Sequence, residues 1–433
     1  MRTHPLVLAV TLLSAPALRA QRTDQYMARA LRALAAQPVI DSHNDLPWRI
    51  REDSAHSTDV VAYDLRARTP GHTDLARLKQ GHVGGQFWSI YIPGEREESA
   101  YRSKGTSASM PGYARVQLEQ IDIARRMIAR YPQLEWALTA DAIPRAYARG
   151  HVGSLLGLEG GHAIENSLAV LRVYYELGAR YMTLTHNVTL DWADAALDSA
   201  KHGGLTLFGE EVVREMNRLG MLVDLSHVSP GTMSDALDVT VAPVIFSHSG
   251  SRALVDHARN IPDSILARVP KNGGVVMVPF VTAFVNRAVK EDDDSLQAHV
   301  RLARANNPSD TAAARRELDA WRAVHPRPRA TIADVANVID HVRKVAGVDH
   351  VGIGSDFDGI SETVVGLEDV STYPVLFAEL ARRGWTQAEL QKLSGGNILR
   401  VLRQAERVAA RLQRERPASI ATIEQLDAQR PVP

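Results

Sequence analysis

The chain has 433 residues, 45% hydrophobic and 23% charged, enough to bury one large core or two modest ones. Fifty basic residues balance fifty acidic ones with no long block of either sign, which excludes the electrostatic footprint of a nucleic-acid binder and points to a small-molecule partner. Cysteine is absent, so neither a disulfide framework nor a thiol nucleophile can be built, and stability rests on packing and metal.

In chain order, residues 1 to 20 run from a basic start through an apolar stretch at Leu6 to Leu13 into small residues near Ala15, Ala17 and Ala20. This is the pattern of a cleaved export signal, which predicts a periplasmic or secreted protein. The apolar run is far short of the roughly 20 residues a membrane span requires, so no transmembrane span is expected. Short Val-, Ile- and Leu-rich runs then recur at 38 to 46, 84 to 93, 153 to 161, 180 to 187, 221 to 229, 243 to 249, 273 to 280 and 350 to 359. Helical periodicity appears at 114 to 130, 168 to 177, 207 to 219, 331 to 345 and 373 to 383, and "GGNILRVLRQAERVAARLQRER" (395 to 416) reads as a closing amphipathic helix. Near-continuous apolar strands with helical crossovers belong to a parallel sheet covered on both faces. Eight such units predict a (β/α)8 TIM-type barrel over residues 21 to 416, followed by a polar tail at 417 to 433. Residues 49 to 80 and 285 to 330 break the rhythm and read as insertions on βα loops, the second partly helical, carrying "EDDD" and later "HPRPR".

Nearly every predicted strand stops at a residue able to bind metal or move protons. His43 and Asp45 end the first, Glu159 the third, His186 the fourth, His227 the fifth, His248 the sixth and Asp356 the eighth. Side chains at i and i+2 of a strand share a face, so His43 and Asp45 can grip one ion. In such a barrel all these ends meet at one mouth. With His186 and Asp356 set aside, three histidines and two carboxylates suit a pair of divalent transition-metal ions, with Glu159 as bridge, His43 and Asp45 on one ion, and His227 and His248 on the other. Taken alone, each residue has a bland explanation. A single strand-end histidine is more often a hydrogen-bonded core or surface residue, and Asp45, Asp356 and Asp358 suit turns. Six strand ends carrying such groups together are not produced by turn chemistry. "GLEGGH" lacks the Lys-Ser/Thr ending of a phosphate loop and no GxSxG elbow is present, which leaves activated water as the nucleophile.

"HNDLPW", "GLEGGH", "LTHN" with "WAD" after it, "DLSHVS", "FSHS", "RNIPD", "GSDFDG" and "GGNILRV" together resemble the membrane (renal-type) dipeptidases, peptidase family M19 of the amidohydrolase superfamily, over about residues 37 to 405. The resemblance implies a zinc-dependent dipeptidase with two Zn2+ per subunit, in which His43 and Asp45 match ligands of the first zinc, Glu159 the bridge, and His227 and His248 ligands of the second. It also implies that His186 contacts the substrate and supports the oxyanion, that Arg259 binds the substrate's terminal carboxylate, and that Asp356 shuttles the proton. The chain departs from the family pattern at the carboxylate-binding tyrosine, which falls on Phe284, and in the long 285 to 330 segment, which would partly cover the mouth. The lipid anchor and disulfide-linked dimer of mammalian members are not expected without cysteine or a hydrophobic C-terminal tail, and a non-covalent homodimer stays open. Two other readings remain at this stage: a related binuclear hydrolase of N-acyl amino acids, lactones or phosphoesters, and an exported protein that binds metal or peptide without turnover.

Overall fold

The computed structural model describes residues 15–94 and 112–428, with side chains from residue 25 onward. Among the described residues nine strands form: β1 (Val39–Asn44), β2 (Val83–Ser89), β3 (Leu134–Trp136), β4 (Val152–Glu159), β5 (Ala179–Thr183), β6 (Leu222–Asp224), β7 (Ile245–Phe246), β8 (Val275–Val278) and β9 (Val351–Ile353). Their order is β2-β1-β9-β8-β7-β6-β5-β4, and parallel pairing of β2 with β4, from Gly85↔Gly153 to Ser89↔Gly157, closes the ring. Every one of the eight expected apolar runs contributes a stave, giving the (β/α)8 barrel. β3 was not expected. It pairs with the start of β4, Leu134↔Val152 to Trp136↔Ser154, below the point where β5 joins at Leu156.

The apolar runs are nearly continuous because both faces of each stave are covered. Ile40, Phe87, Leu155, Tyr181, Leu222, Ile245, Val275 and Met277 fill the barrel, which Ile398, Leu399 and Leu402 plug from below. Their neighbours in sequence, among them Val39, Trp88, Leu156, Met182, Val223, Phe246 and Val276, face the helices instead.

The longer helices are α1 (Ala15–Ala36), α2 (Tyr113–Arg130), α3 (Leu168–Glu176), α4 (Leu207–Leu219), α5 (Pro230–Val239), α6 (Arg287–Asn306), α7 (Thr311–Val324), α8 (Ile332–Ala346), α9 (Tyr373–Arg382) and α10 (Asn397–Glu415). Their ends follow local chemistry. Thr206 caps α4 by accepting from the Gly209 amide, Gly220 closes it in the left-handed region at φ 84°, and a Thr331/Asp334 capping box opens α8. Among the described residues no helix is long and apolar enough to cross a membrane. Of the expected leader, residues 1 to 14 lie outside the described residues and Ala15 opens α1, which packs on α9.

Both insertions lie at the mouth, as expected for βα loops. The first takes in the end of the short helix Leu46–Arg51 and all of Leu75–Gln80, and the second folds as an α6–α7 hairpin. The two charged runs noted in the sequence meet here: Arg327 Nη1 lies 2.9 Å from Asp292 and 2.5 Å from Asp293, while its Nε reaches Glu362, in the loop after β9, at 2.8 Å. The described part of the polar tail is docked. The Ser419 carbonyl accepts from Arg172 at 2.9 Å, and Asp427 caps the Phe208 amide at 3.2 Å.

Candidate metal centre and active site

The eight residues singled out in the sequence all reach the C-terminal mouth of the barrel, and all but Arg259 gather around Glu159. His43 Nε2 lies 3.3 Å from Asp45 Oδ2, 3.4 Å from Glu159 Oε2 and 3.9 Å from Asp356 Oδ1. On the other side, Glu159 Oε1 lies 3.0 Å from His227 Nε2, 3.5 Å from His248 Nε2 and 3.8 Å from His186 Nε2. The two oxygens of one carboxylate therefore face two different sets of ligand atoms. The His43–Asp45 pair does not arise from regular strand alternation. β1 carries a register shift between Asp41 and Asn44, and Asp45 lies past the strand at φ −92°, ψ 24°, ahead of the next helix.

The far ring nitrogens reveal what the near ones can do. His227 Nδ1 meets Asn187 Oδ1 at 3.0 Å, an acceptor, so the proton sits on Nδ1 and Nε2 presents a lone pair. Ser247 gives its hydroxyl hydrogen to Asp224 at 2.6 Å and so accepts from His248 Nδ1 at 2.8 Å, which leaves His248 Nε2 bare as well. These two bare nitrogens are 2.9 Å apart beside a carboxylate oxygen. Three lone pairs in such proximity repel unless a cation lies among them. His43 Nε2, fully buried, likewise has no hydrogen-bond partner, while its Nδ1 lies 2.8 Å from the Tyr181 hydroxyl. The donor set of imidazole and carboxylate, with its outer nitrogens fixed by second partners, fits divalent transition metal.

Electrostatics point the same way. Burial, followed by nearby cationic groups including Arg259, pushes His227 and His248 well below the usual histidine value, so both are neutral bases. His43 moves oppositely: burial lowers it, but Tyr181, Glu159 and Asp45 outweigh that and raise it, so positive charge is favoured at that point. Burial raises the Glu159 carboxyl, yet the facing His43 and His227 hold it well below the usual range. Asp356 is held well above that range, chiefly by burial, with Asp45 and Glu159 adding to the effect and His43 opposing it.

Asp356 occupies a strained turn after β9. Its φ is 68° and that of Asp358 is 65°, left-handed conformations that cost an L-residue about 1–2 kcal/mol each. Arg259 enters from the loop after β7. Asn260 stitches that loop by accepting from the Gly250 amide at 3.1 Å and donating to the Val255 and Phe284 carbonyls, both at 2.9 Å. The Arg259 side chain is fully buried, its Nη1 has no partner among the described residues, and its guanidinium lies 5.3 Å from the centre of the Phe284 ring. Burial lowers its pKa to about 10, with Glu159 and Asp356 opposing, so it stays cationic at neutral pH. The cavity between these groups measures about 430 Å3, and Trp48, Tyr91, Leu197, Val281 and Ile360 add apolar wall to it.

Sequence reasoning missed the residues that orient the ligands. Asn187 and Ser247 stood in "LTHN" and "FSHS", and Asp224 in "DLSH", but Tyr181 approaches His43 from a stave 138 residues away. Gly157 makes room for it, since a Cβ there would lie 2.0 Å from the Tyr181 ring. Gly157→Ala is expected to cost about 1–3 kcal/mol of stability through overpacking and about 10–100-fold in metal affinity. Thermal denaturation and metal titration would check both, and unaltered affinity would show that Tyr181 does not orient His43.

Comparison with known proteins agrees with this geometry. The family model for membrane dipeptidases, peptidase family M19, matches residues 27–416. A probable dipeptidase, PvdM, from Pseudomonas aeruginosa shares the fold, with a TM-score of 0.73 at 24% identity over 89% of this chain and 100% of that one. A metallopeptidase from Rhodobacter sphaeroides, solved with a phosphinate mimic of the dipeptide L-Ala-D-Ala, aligns with a TM-score of 0.67 at 25% identity over 85% of this chain and 99% of that one. The dipeptidase AC, a metallopeptidase of family M19, gives the same figures, 0.67 and 25% over 85% and 99%. A family match over residues 27–416, which spans the barrel, establishes that the chain belongs to the membrane dipeptidases of peptidase family M19 and is a metallo-dipeptidase.

Proposed function

We propose that the chain hydrolyses the peptide bond of dipeptides at a pair of zinc ions. The observation that carries this reading is the division of Glu159, with Oε2 toward His43, which also meets Asp45, and Oε1 toward His227 and His248, together with a buried Arg259 whose Nη1 has no hydrogen-bond partner. His43 and Asp45 would hold one ion, His227 and His248 the other, and Glu159 both. When bound, the ions supply Lewis acidity toward the scissile carbonyl and the attacking water.

The remaining work falls to this chain's own groups. Arg259 takes the C-terminal carboxylate of the substrate, since its buried Nη1, without a hydrogen-bond partner, favours a charge-assisted bond over remaining desolvated. This anchor, with a cavity of about 430 Å3, limits the substrate to roughly two residues. His186, at the rim beside Tyr91 with ring centres 4.9 Å apart, donates toward the carbonyl oxygen as charge develops there. Asp356 accepts the proton of the attacking water and passes it to the leaving amine, a role that its elevated pKa suits. The phosphinate dipeptide mimic held by the Rhodobacter sphaeroides relative supports a dipeptide in this cavity.

The test is metal analysis of the purified protein, paired with a screen of dipeptides, dipeptide amides, N-acyl amino acids, lactones and phosphotriesters, with and without chelator. Two zinc ions per chain and chelator-sensitive cleavage of free dipeptides are expected. The amides, which lack the carboxylate that Arg259 faces, should turn over at least about tenfold less efficiently, one lost charged contact. A single ion per chain, or preferential cleavage of another substrate class, would overturn the reading.

A further inference from the structure

The turn that carries Asp356 is held from outside the barrel by a residue to which no role has been assigned. Within the turn, the Asp356 amide donates to the His43 carbonyl at 3.1 Å, the Phe357 amide to Ser355 Oγ at 3.2 Å, and the Gly359 amide back to the Asp356 carbonyl at 3.2 Å. The Asp358 amide has a different kind of partner. It donates to His72 Nδ1 at 2.8 Å, and the His72 amide returns a bond to Asp358 Oδ1 at 2.7 Å. His72 and Asp358 are 286 residues apart in sequence, and His72 belongs to the first insertion.

This reciprocal pair fixes the residue whose backbone most needs fixing. Asp356 and Asp358 both occupy the left-handed region, where an L-residue persists only when its surroundings over-determine it. Close approach is also built in. Gly71 precedes His72, and a Cβ there would lie 2.2 Å from Asp358 Oδ1, so a side chain at this position would displace the carboxylate that the His72 amide holds. The His72 ring packs at a tilt of 49° against the buried Phe357, the residue between the two aspartates, with ring centres 5.5 Å apart. The next residue extends the seam, with Thr73 Oγ1 accepting from Asn44 at 2.9 Å beside the ligand His43.

The geometry points to His72 as a positioning residue for the reaction: its Nδ1 lone pair holds the Asp358 amide, and thereby aims the Asp356 carboxylate at the metal centre. The inference rests on the proposed proton role of Asp356. It accounts for the first insertion returning to the mouth in a "GH" pair, and it requires His72 to act as an acceptor at Nδ1.

Three variants of the full-length, zinc-loaded protein test it. His72→Ala removes ring and acceptor, His72→Phe keeps the bulk without the acceptor, and His72→Asn restores an acceptor oxygen near the Nδ1 position. With Ala and Phe, kcat should fall about 10–100-fold, the scale of a misaimed catalytic group. KM should stay within about threefold of wild type, and zinc content should be unchanged. Amide exchange in peptides spanning 354 to 360 should be at least about tenfold faster in both, and His72→Asn should recover exchange and most of kcat. Wild-type kcat in the Phe variant, unchanged exchange in the turn, or a His72→Asn protein as impaired as His72→Phe would each overturn the assignment. The two ideas fail separately: an Asp356→Asn protein at full turnover would remove the proton role, whereas the exchange arm would still report whether His72 holds the turn.

Discussion

Replacement of Glu159 by Gln is expected to abolish tight binding of at least one metal ion and to slow dipeptide turnover by about 10²–10⁴-fold. The side chain keeps its size, but it loses the charge that both ligand sets share and presents an amide N–H₂ on one side where two oxygens now accept. Breaking a buried ionic cluster costs about 3–5 kcal/mol, which is on the order of 10²–10⁴ in affinity at 1.4 kcal/mol per decade. Elemental analysis of the variant, alongside kcat measured in excess zinc, checks both parts. Two ions per chain with undiminished turnover would mean that Glu159 does not join them.

Asp356→Asn is expected to leave metal content and KM near wild type while lowering kcat by about 10²–10⁴-fold, the usual worth of a placed general base. The sign of the pH effect follows from the shift. Burial raises the Asp356 carboxyl well above its ordinary value, with Asp45 and Glu159 adding to this, so it is protonated and unable to accept at low pH. Rate should therefore rise with pH through that elevated value in the wild type, and this acid limb should flatten in the variant. A variant that retains both the rate and the limb would assign proton transfer elsewhere.

Much of this was legible in the sequence, for a physical reason. Staves covered on both faces need apolar residues at every position, so "GSLLGLE" and "GVVMV" announce themselves, and the first of them ends at Glu159. The three residues of β3 are too few to show any period, and only the partner β4 makes them a strand. The candidate ligands could be named because chemistry confines metal binding to few residue types. Their supports could not, since serine, asparagine and tyrosine are common and gain meaning only from a partner on another stave. Asp224 with Ser247, Asn187 with His227 and Tyr181 with His43 are all such cases. His43 and Asp45 do lie side by side, but not by strand alternation, because β1 shifts register between Asp41 and Asn44 and Asp45 lies beyond the strand.

The α6–α7 hairpin differs in kind from the cylinder beneath it. Its long helices bury little beyond Val289, Ala303 and Ala314, and what ties it down is largely the partly exposed charge cluster around Arg327. Charge in contact with solvent is weakened by dissolved ions, whereas apolar burial is not. Brine and fresh buffer are therefore expected to act on the two parts unequally, added salt loosening the outer arm while leaving the tight inner drum in place.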